Sequence, residues 1–490
     1  MNVGFGLSAA VLVAAFVFGG GASLASPGDL VPQVLSLPLL YHAFGSGWAR
    51  LSEARLIRLW LVGVLILFGL QLLPLPPSLW AALPGREAVR AMIGVAGEPG
   101  WMSLSLRPPQ TVKAALGLLP PVALFFGVLT LDLKRRVWLL ALLIGLVLLS
   151  VTIGLLQLVN GPDSSLYFYQ FTTSGRAVGF FANPNHFVAP LYATLPLVAA
   201  LMSGRSGRHA GLMAAGFGGI AFAYLVGLST SGARTAVLLG GASLALALFG
   251  VARRGTLARL SAGRPLLVAG ALAALLVTPV LLGVGLISIL ERFETQDVFD
   301  DLRWTILPAA LDQGLSYFPF GAGMGTFDRA YALQEGVATL MPSYINHVHN
   351  DWAEVFFEAG AAGVALMALG LIIVVRMSYQ AVVCPPGLAG RLLAGGVLGI
   401  WLLLAHSLWD YPLRTQACLA VLALALALGV PATEANVMSL QQAWPWARRR
   451  KSGRSKSGRG KSGGETSGGD TSGGGKVPGA DGAAGGVPAV

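Results

Sequence analysis

Charge is scarce in this sequence. Asp, Glu, Lys and Arg together make up 11% of its 490 residues, against about 25% in an ordinary soluble domain, and that deficit excludes a chain whose whole surface meets water. Cysteine is scarcer still. Cys384 and Cys418 are the two present; they fall on different segments and supply neither a disulfide framework nor a cysteine-based metal site. Period-two alternation of apolar and polar residues is also missing, which excludes a membrane β-barrel. What is abundant is apolar length. Hydrophobic residues reach 55%, collected in runs of about 20, enough to cross roughly 30 Å of hydrocarbon. With no water in the bilayer to satisfy the backbone, such runs are helices.

The runs predict an all-α polytopic membrane protein with about twelve spans, near residues 4–23, 30–46, 57–74, 111–132, 137–158, 185–202, 210–228, 235–251, 266–288, 352–375, 391–408 and 414–431. Pro32 and Pro38 interrupt the second, an interruption that neighbouring helices can absorb. Residues 1–436 form the expected membrane domain. Residues 4–20, followed by Ser23-Leu24-Ala25, have the outline of a cleavable leader, but no Lys or Arg precedes them, which favours a retained span.

Basic residues orient the bundle. Arg50, Arg55 and Arg58 share one loop, Lys134 to Arg136 a second, Arg205 and Arg208 a third, and Arg253, Arg254, Arg259 and Arg264 a fourth, while Arg376 and Arg391 bound a fifth. These loops alternate with poorer ones, so the positive-inside rule puts both termini in the cytoplasm of a bacterial inner membrane. The net charge of +11 does not imply a nucleic-acid partner, because nine basic and three acidic residues from Arg448 onward supply +6 of it. Residues 437–490, Gly/Ser/Lys-rich beyond Trp444 and Trp446, read as a disordered cytoplasmic tail whose simplest partner is anionic lipid.

Three loops on the opposite face are long: 75–110, 159–184 and about 289–350. Loops of that length are functional or disordered, and the third is rich in aromatic residues that can pack, with stretches 300–315 and 326–338 reading as short helices. Ionisable residues at membrane depth are costly and therefore informative. Four places on this outer face carry them: Arg176 in SGRAVGFFANPNHF, Arg234 in STSGARTAV, His347 and His349 in HVHND, and His406 with Asp410 in HSLWDYP. An arginine near a span end often snorkels to the headgroups. These two are instead flanked by small and polar residues, which let a diphosphate approach a planar, permanently charged fork.

His349 has the chemistry of a general base, since imidazole titrates near pH 6.5; without further information it reads equally as a helix-start residue with Asn350 and Asp351 as caps. His347 and His349 lack the further ligands a metal site needs. His406 and Asp410, one helical turn apart, read as a structural polar pair. Gly321-x-Gly323-x-Gly325 has no strand before it and no crossover after it, so it is no dinucleotide loop; it lets the backbone turn or approach something closely. Asp300-Asp301 reads as an exposed acidic face.

The ordered set RAVGFFANPNH, STSGAR, PFGAGMGTF, HVHNDWAEVFFEAGAAG and HSLWDYPL resembles the O-antigen ligase and O-antigen polymerase superfamily over about residues 150–430. His349-Asn350 followed after nine residues by Gly360 and Gly363 resembles the ligase signature. The resemblance implies a GT-C-like membrane glycosyltransferase that takes a glycan from undecaprenyl diphosphate on the periplasmic face, with no cofactor, metal or nucleotide. It implies Arg176 and Arg234 as diphosphate-binding residues, His349 as general base, and 289–350 as a cap over the site, with Asn185, Asn350, His406 and Asp410 in support. Trp352 stands where many members carry Leu or Tyr.

The acceptor implied is a sugar hydroxyl of lipid A–core, which makes the chain a ligase. A polymerase acting on a second lipid-linked unit shares the same donor. A bicarbonate-like transporter is the reading from another class, and against it the charged groups gather at one face rather than at the midplane. A protein-glycosylating relative would carry a larger soluble C-terminal domain.

Overall fold

In a computed structural model the described residues are 2–21, 27–51, 54–97, 100–203, 208–252, 302–336, 345–384 and 387–430. The chain divides into two units, Met1–Ala443 and Trp444–Val490, and the second lies outside the described residues. So do the ninth predicted span and Asp300-Asp301.

Helices occupy each of the other eleven predicted span positions. They are α1 (Val3–Phe18), α2 (Leu30–Arg50), α3 (Arg55–Leu72), then, past the outer elements β1 (Pro74–Leu75), α4 (Pro77–Ala81), α5 (Glu87–Ala96) and β2 (Met102–Ser103), the joined pair α6 (Pro108–Gly117) and α7 (Leu119–Thr130). There follow α8 (Leu133–Asn160), α9 (Pro184–Met202), α10 (Arg208–Ser231) and α11 (Arg234–Ala252); beyond the cap helices α12 (Leu302–Ser316) and α13 (Phe327–Ala332) come α14 (Asp351–Val383), α15 (Leu388–His406) and α16 (Gln416–Leu428). Among the described residues seven helical stretches are long and apolar enough to cross a membrane, with Pro108–Thr130 counted as one. The chain is a multi-pass helical membrane protein.

Local chemistry sets the helix starts. Asn183 accepts from the Asn185 N–H with Pro184 in the first turn, Asp132 accepts from Arg135 N–H, Asn350 from Ala353 N–H and Thr415 from Cys418 N–H, each satisfying a donor that the helix cannot. The central helix is α9, with 83% of its span window buried; α8, α10, α11, α15 and α16 pack round it. Gly395 and Gly399 of α15, four apart, bring that helix so close that a Cβ on either would press into the carbonyls of Pro196 or Ala193, the small-residue packing that membrane helices use in place of a hydrophobic drive.

Of the stretch 289–350 expected as a cap, residues 302–336 and 345–350 are described. The expected helix 300–315 appears as α12, and that at 326–338 as the shorter α13. Ile306, Ala310, Tyr317, Phe327, Tyr331, Val348 and Phe357 form a separate buried apolar cluster, which packs the cap on the start of α14. The outer elements after α3 clamp it from the other side. The Arg86 guanidinium donates to the Leu104 and Gly321 carbonyls at 2.6 and 3.3 Å, burial pulling its pKa down to about 10. Arg107 pairs with Asp328 at 3.0 Å.

Gly321-x-Gly323-x-Gly325 works on this clamp. Helix α14 breaks at Gly360, where φ is +54° and a Cβ would overlap the Pro319 carbonyl. The break leaves carbonyls of the preceding turn unpaired within the helix, and the loop takes them: Ala322 N–H donates to Phe357 O at 3.1 Å and Gly323 N–H to Glu358 O at 2.9 Å, while Ala361 N–H donates to Pro319 O at 2.9 Å. Gly321, at φ +78°, has no room for a Cβ beside the Glu358 carbonyl. Glycine is required on both sides of this contact.

Candidate active site

The polar end of the bundle is built where helix α15 runs out and helices α9, α11, α14 and α16 begin. Asp410, fully buried, sits in the turn after α15. Its Oδ1 lies 3.3 Å from His349 Nδ1 and 3.9 Å from His186 Nε2, and accepts from Tyr411 N–H at 3.0 Å. Tyr411 is packed among three imidazoles, with ring centroids 4.1 Å from His347, 4.8 Å from His186 and 5.0 Å from His349. His406 and Asp410, expected as a polar pair one turn apart, are related by the Asp410 N–H donating to His406 O at 3.1 Å, while His406 Nδ1 pairs with the Tyr192 hydroxyl and Asp410 Oδ1 with His349 Nδ1.

Four histidines meet here, and exposure separates them. The side chains of His186 and His406 are sealed and that of His347 is 4% exposed, whereas that of His349 is 26% exposed. His349 is therefore the imidazole of this group that a substrate can reach. With Nδ1 turned to Asp410, Nε2 is the nitrogen left for chemistry, in the manner of a base oriented by a carboxylate.

His347 has a carboxylate of its own. Its Nδ1 is 2.7 Å from Glu354 Oε1, so the two neighbouring histidines are held by different acids and do not converge as a metal pair. Glu354 belongs to a row, Asp351, Glu354 and Glu358, spaced three and four apart on one face of α14. Arg414 meets all three: Nη1 to Glu358 at 2.9 Å, Nη2 to Glu354 at 3.4 Å and Nε to Asp351 at 3.5 Å. Burial opposes its charge, but Glu354, Glu358 and Asp351 outweigh that and hold the guanidinium above its ordinary range. Sequence reasoning missed Arg414. The signal was there, because three acids spaced three and four apart on one face of an otherwise apolar helix call for a cation.

The two expected phosphate arginines are carried to the same end. Arg176 lies in the loop before α9, its carbonyl accepting from the Tyr167 hydroxyl at 3.0 Å; the next residue, Ala177, donates its N–H to Thr230 O at the end of α10. Arg234 opens α11, and the adjacent Thr235 hydroxyl donates to Asn185 Oδ1 at 3.3 Å. Asn185 precedes His186, which faces Asp410. Both arginines are half-buried. A continuous line of contacts thus joins the Arg176 loop, the start of α11, the start of α9 and the His349–Asp410 pair. Asn350 caps α14 and donates to Leu408 O at 2.9 Å, tying His349 to the turn that carries Asp410. Among the described residues no three His, Cys, Asp or Glu side chains are grouped to hold a metal ion.

The fold and this end of it define a class: a multi-pass helical membrane protein with a carboxylate-oriented histidine and arginines gathered where several helices start. Residues 219–368, about a third of the chain, match the family model described as O-antigen ligase, and this segment is to that extent similar to that family. The matched stretch contains Arg234, the described part of the cap and His349; Arg176, Asn185, His406 and Asp410 lie outside it and join the site by geometry. A search of curated proteins finds no match.

Proposed function

We propose that the chain is a glycosyltransferase that moves a glycan from undecaprenyl diphosphate to a sugar hydroxyl on the periplasmic face of the inner membrane, acting as an O-antigen ligase on lipid A–core. The observation that carries the reading is the reachable His349 paired with buried Asp410 at 3.3 Å, on the end of the bundle where Arg176 and Arg234 also lie. His349 Nε2 takes the proton of the acceptor hydroxyl as its oxygen attacks the anomeric carbon. The bond from that carbon to the phosphate oxygen breaks, and its electron pair leaves with the diphosphate. Arg176 and Arg234 hold the departing anion, whose charge grows in the transition state. GT-C-like architecture and a bundle of about twelve spans with both termini cytoplasmic complete the proposal.

With purified protein and a lipid-linked donor, His349→Ala abolishes transfer while the protein remains folded; full retention of transfer overturns the base assignment. Deleting the gene and running lipopolysaccharide on a gel separates ligase from polymerase. Loss of all long chains with lipid-linked polymer accumulating identifies the ligase, and a single repeat unit left on core identifies a polymerase.

A further inference from the structure

His349 is the one residue other than glycine with a positive φ among the described residues, at +58°. That left-handed conformation crowds an L side chain, and it persists only where the surroundings leave the chain no alternative. Downstream, Asn350 caps α14 and donates to Leu408 O, and Asp351 N–H donates to Ser407 O at 2.9 Å. Upstream, the two residues before His349 are held by one side chain. Glu354 Oε1 is 2.7 Å from His347 Nδ1, and its Oε2 accepts from Val348 N–H at 3.0 Å. Fixed on both sides, the chain turns at His349. Glu354 is itself held by Arg414 at 3.4 Å, and its side chain is 1% exposed, so it cannot touch a substrate.

We infer that Glu354, held by Arg414, is the positioning residue that keeps His349 in its left-handed conformation and so aims the imidazole at the acceptor. The kinetic consequence rests on His349 being the base; the backbone claim does not. In Glu354→Gln the one remaining oxygen cannot accept from both Val348 N–H and Arg414 Nη2, which meet different oxygens of the carboxylate, and the charge shared with Arg414 and His347 is gone, so the hold is weakened. The expected result is a kcat for transfer lower by about 10- to 100-fold, with KM for the lipid-linked donor within about twofold, since the arginines are untouched.

Thermal unfolding in detergent reads the strain without catalysis. Glycine relieves a left-handed position and alanine does not. His349→Gly therefore melts higher than His349→Ala in the otherwise native chain, by about 2 °C, and in the Glu354→Gln background this gap closes. A gap of equal size in both backgrounds, or an unchanged kcat, overturns the proposal. Should Glu354→Gln not accumulate as folded protein, His347→Gln removes the imidazole from Oε1 while leaving the Arg414 ion pairs intact, and the same narrowing and the same kcat loss are expected. Transfer retained by His349→Ala would remove the base reading, and the closing of the gap would still decide the backbone claim.

Discussion

Asp410→Asn is the most informative single change at the site. The carboxamide keeps the shape of the side chain and an oxygen to accept from Tyr411 N–H, so the turn after α15 is preserved and only the charge beside His349 is lost. That charge matters when His349 takes the acceptor proton and becomes an imidazolium. At the observed 3.3 Å, Coulomb attraction is worth roughly 1 kcal/mol at the dielectric of water and about 5 kcal/mol at an effective dielectric near 20. Asp410 is sealed and the His349 side chain is 26% exposed, which puts the pair between these limits, near about 3 kcal/mol. A loss of that size lowers kcat roughly 100-fold. The assay is transfer by purified protein in nanodiscs from a lipid-linked donor, with product resolved on a gel and kcat and KM obtained separately. KM for the donor should hold, because no phosphate-facing arginine has been touched. A kcat within twofold of the native value, alongside an inactive His349→Ala, refutes the idea that the carboxylate orients and charges the base.

Other substitutions test the remaining parts. Arg234→Lys keeps the charge but loses the planar fork, so transfer falls about tenfold or more; an unchanged rate in the same assay means that Arg234 merely snorkels to headgroups. Gly360→Ala puts a Cβ into the Pro319 carbonyl at a left-handed position, and is expected to cost about 2–4 kcal/mol, seen as a lower melting temperature and faster proteolysis of the cap. Transfer is expected to survive EDTA, and loss of activity restored by a divalent cation would reopen a metal role for His347 and His349.

Much of the fold was readable from the sequence because the bilayer allows so few solutions. Eleven span positions carry helices where apolar length put them, and the cap helix expected at 300–315 appears at Leu302–Ser316. The helix expected at 326–338 stops at Ala332, shortly before Gly336, a poor helix former, and residues 337–338 lie outside the described residues. Site residues were readable as types but not as partners. Asp410 was read with His406 because they are four apart in sequence, and its N–H does donate to His406 O; no local spacing shows that its carboxylate also meets His349, 61 residues away along the chain. His186 was hidden for a related reason. A lone histidine in an apolar run gives no sign that three other histidines will fold up against it. Gly360 was noted for its spacing from His349-Asn350, yet nothing in that spacing shows that the helix breaks there.

That break has a consequence for how such a protein can change over time. The stretch from residue 361 to 383 is 23 residues long, about 34 Å of helix, sufficient to cross the hydrocarbon by itself. Residues 351–359, on the other side of the break, are thus released from the task of anchoring. They bear the acids that meet Arg414, and they are stitched to the cap by hydrogen bonds from residues 322 and 323. Cap and half-helix form a cassette seated on a separate membrane post. Its outer surface can vary in sequence while the membrane-embedded architecture stays as it is.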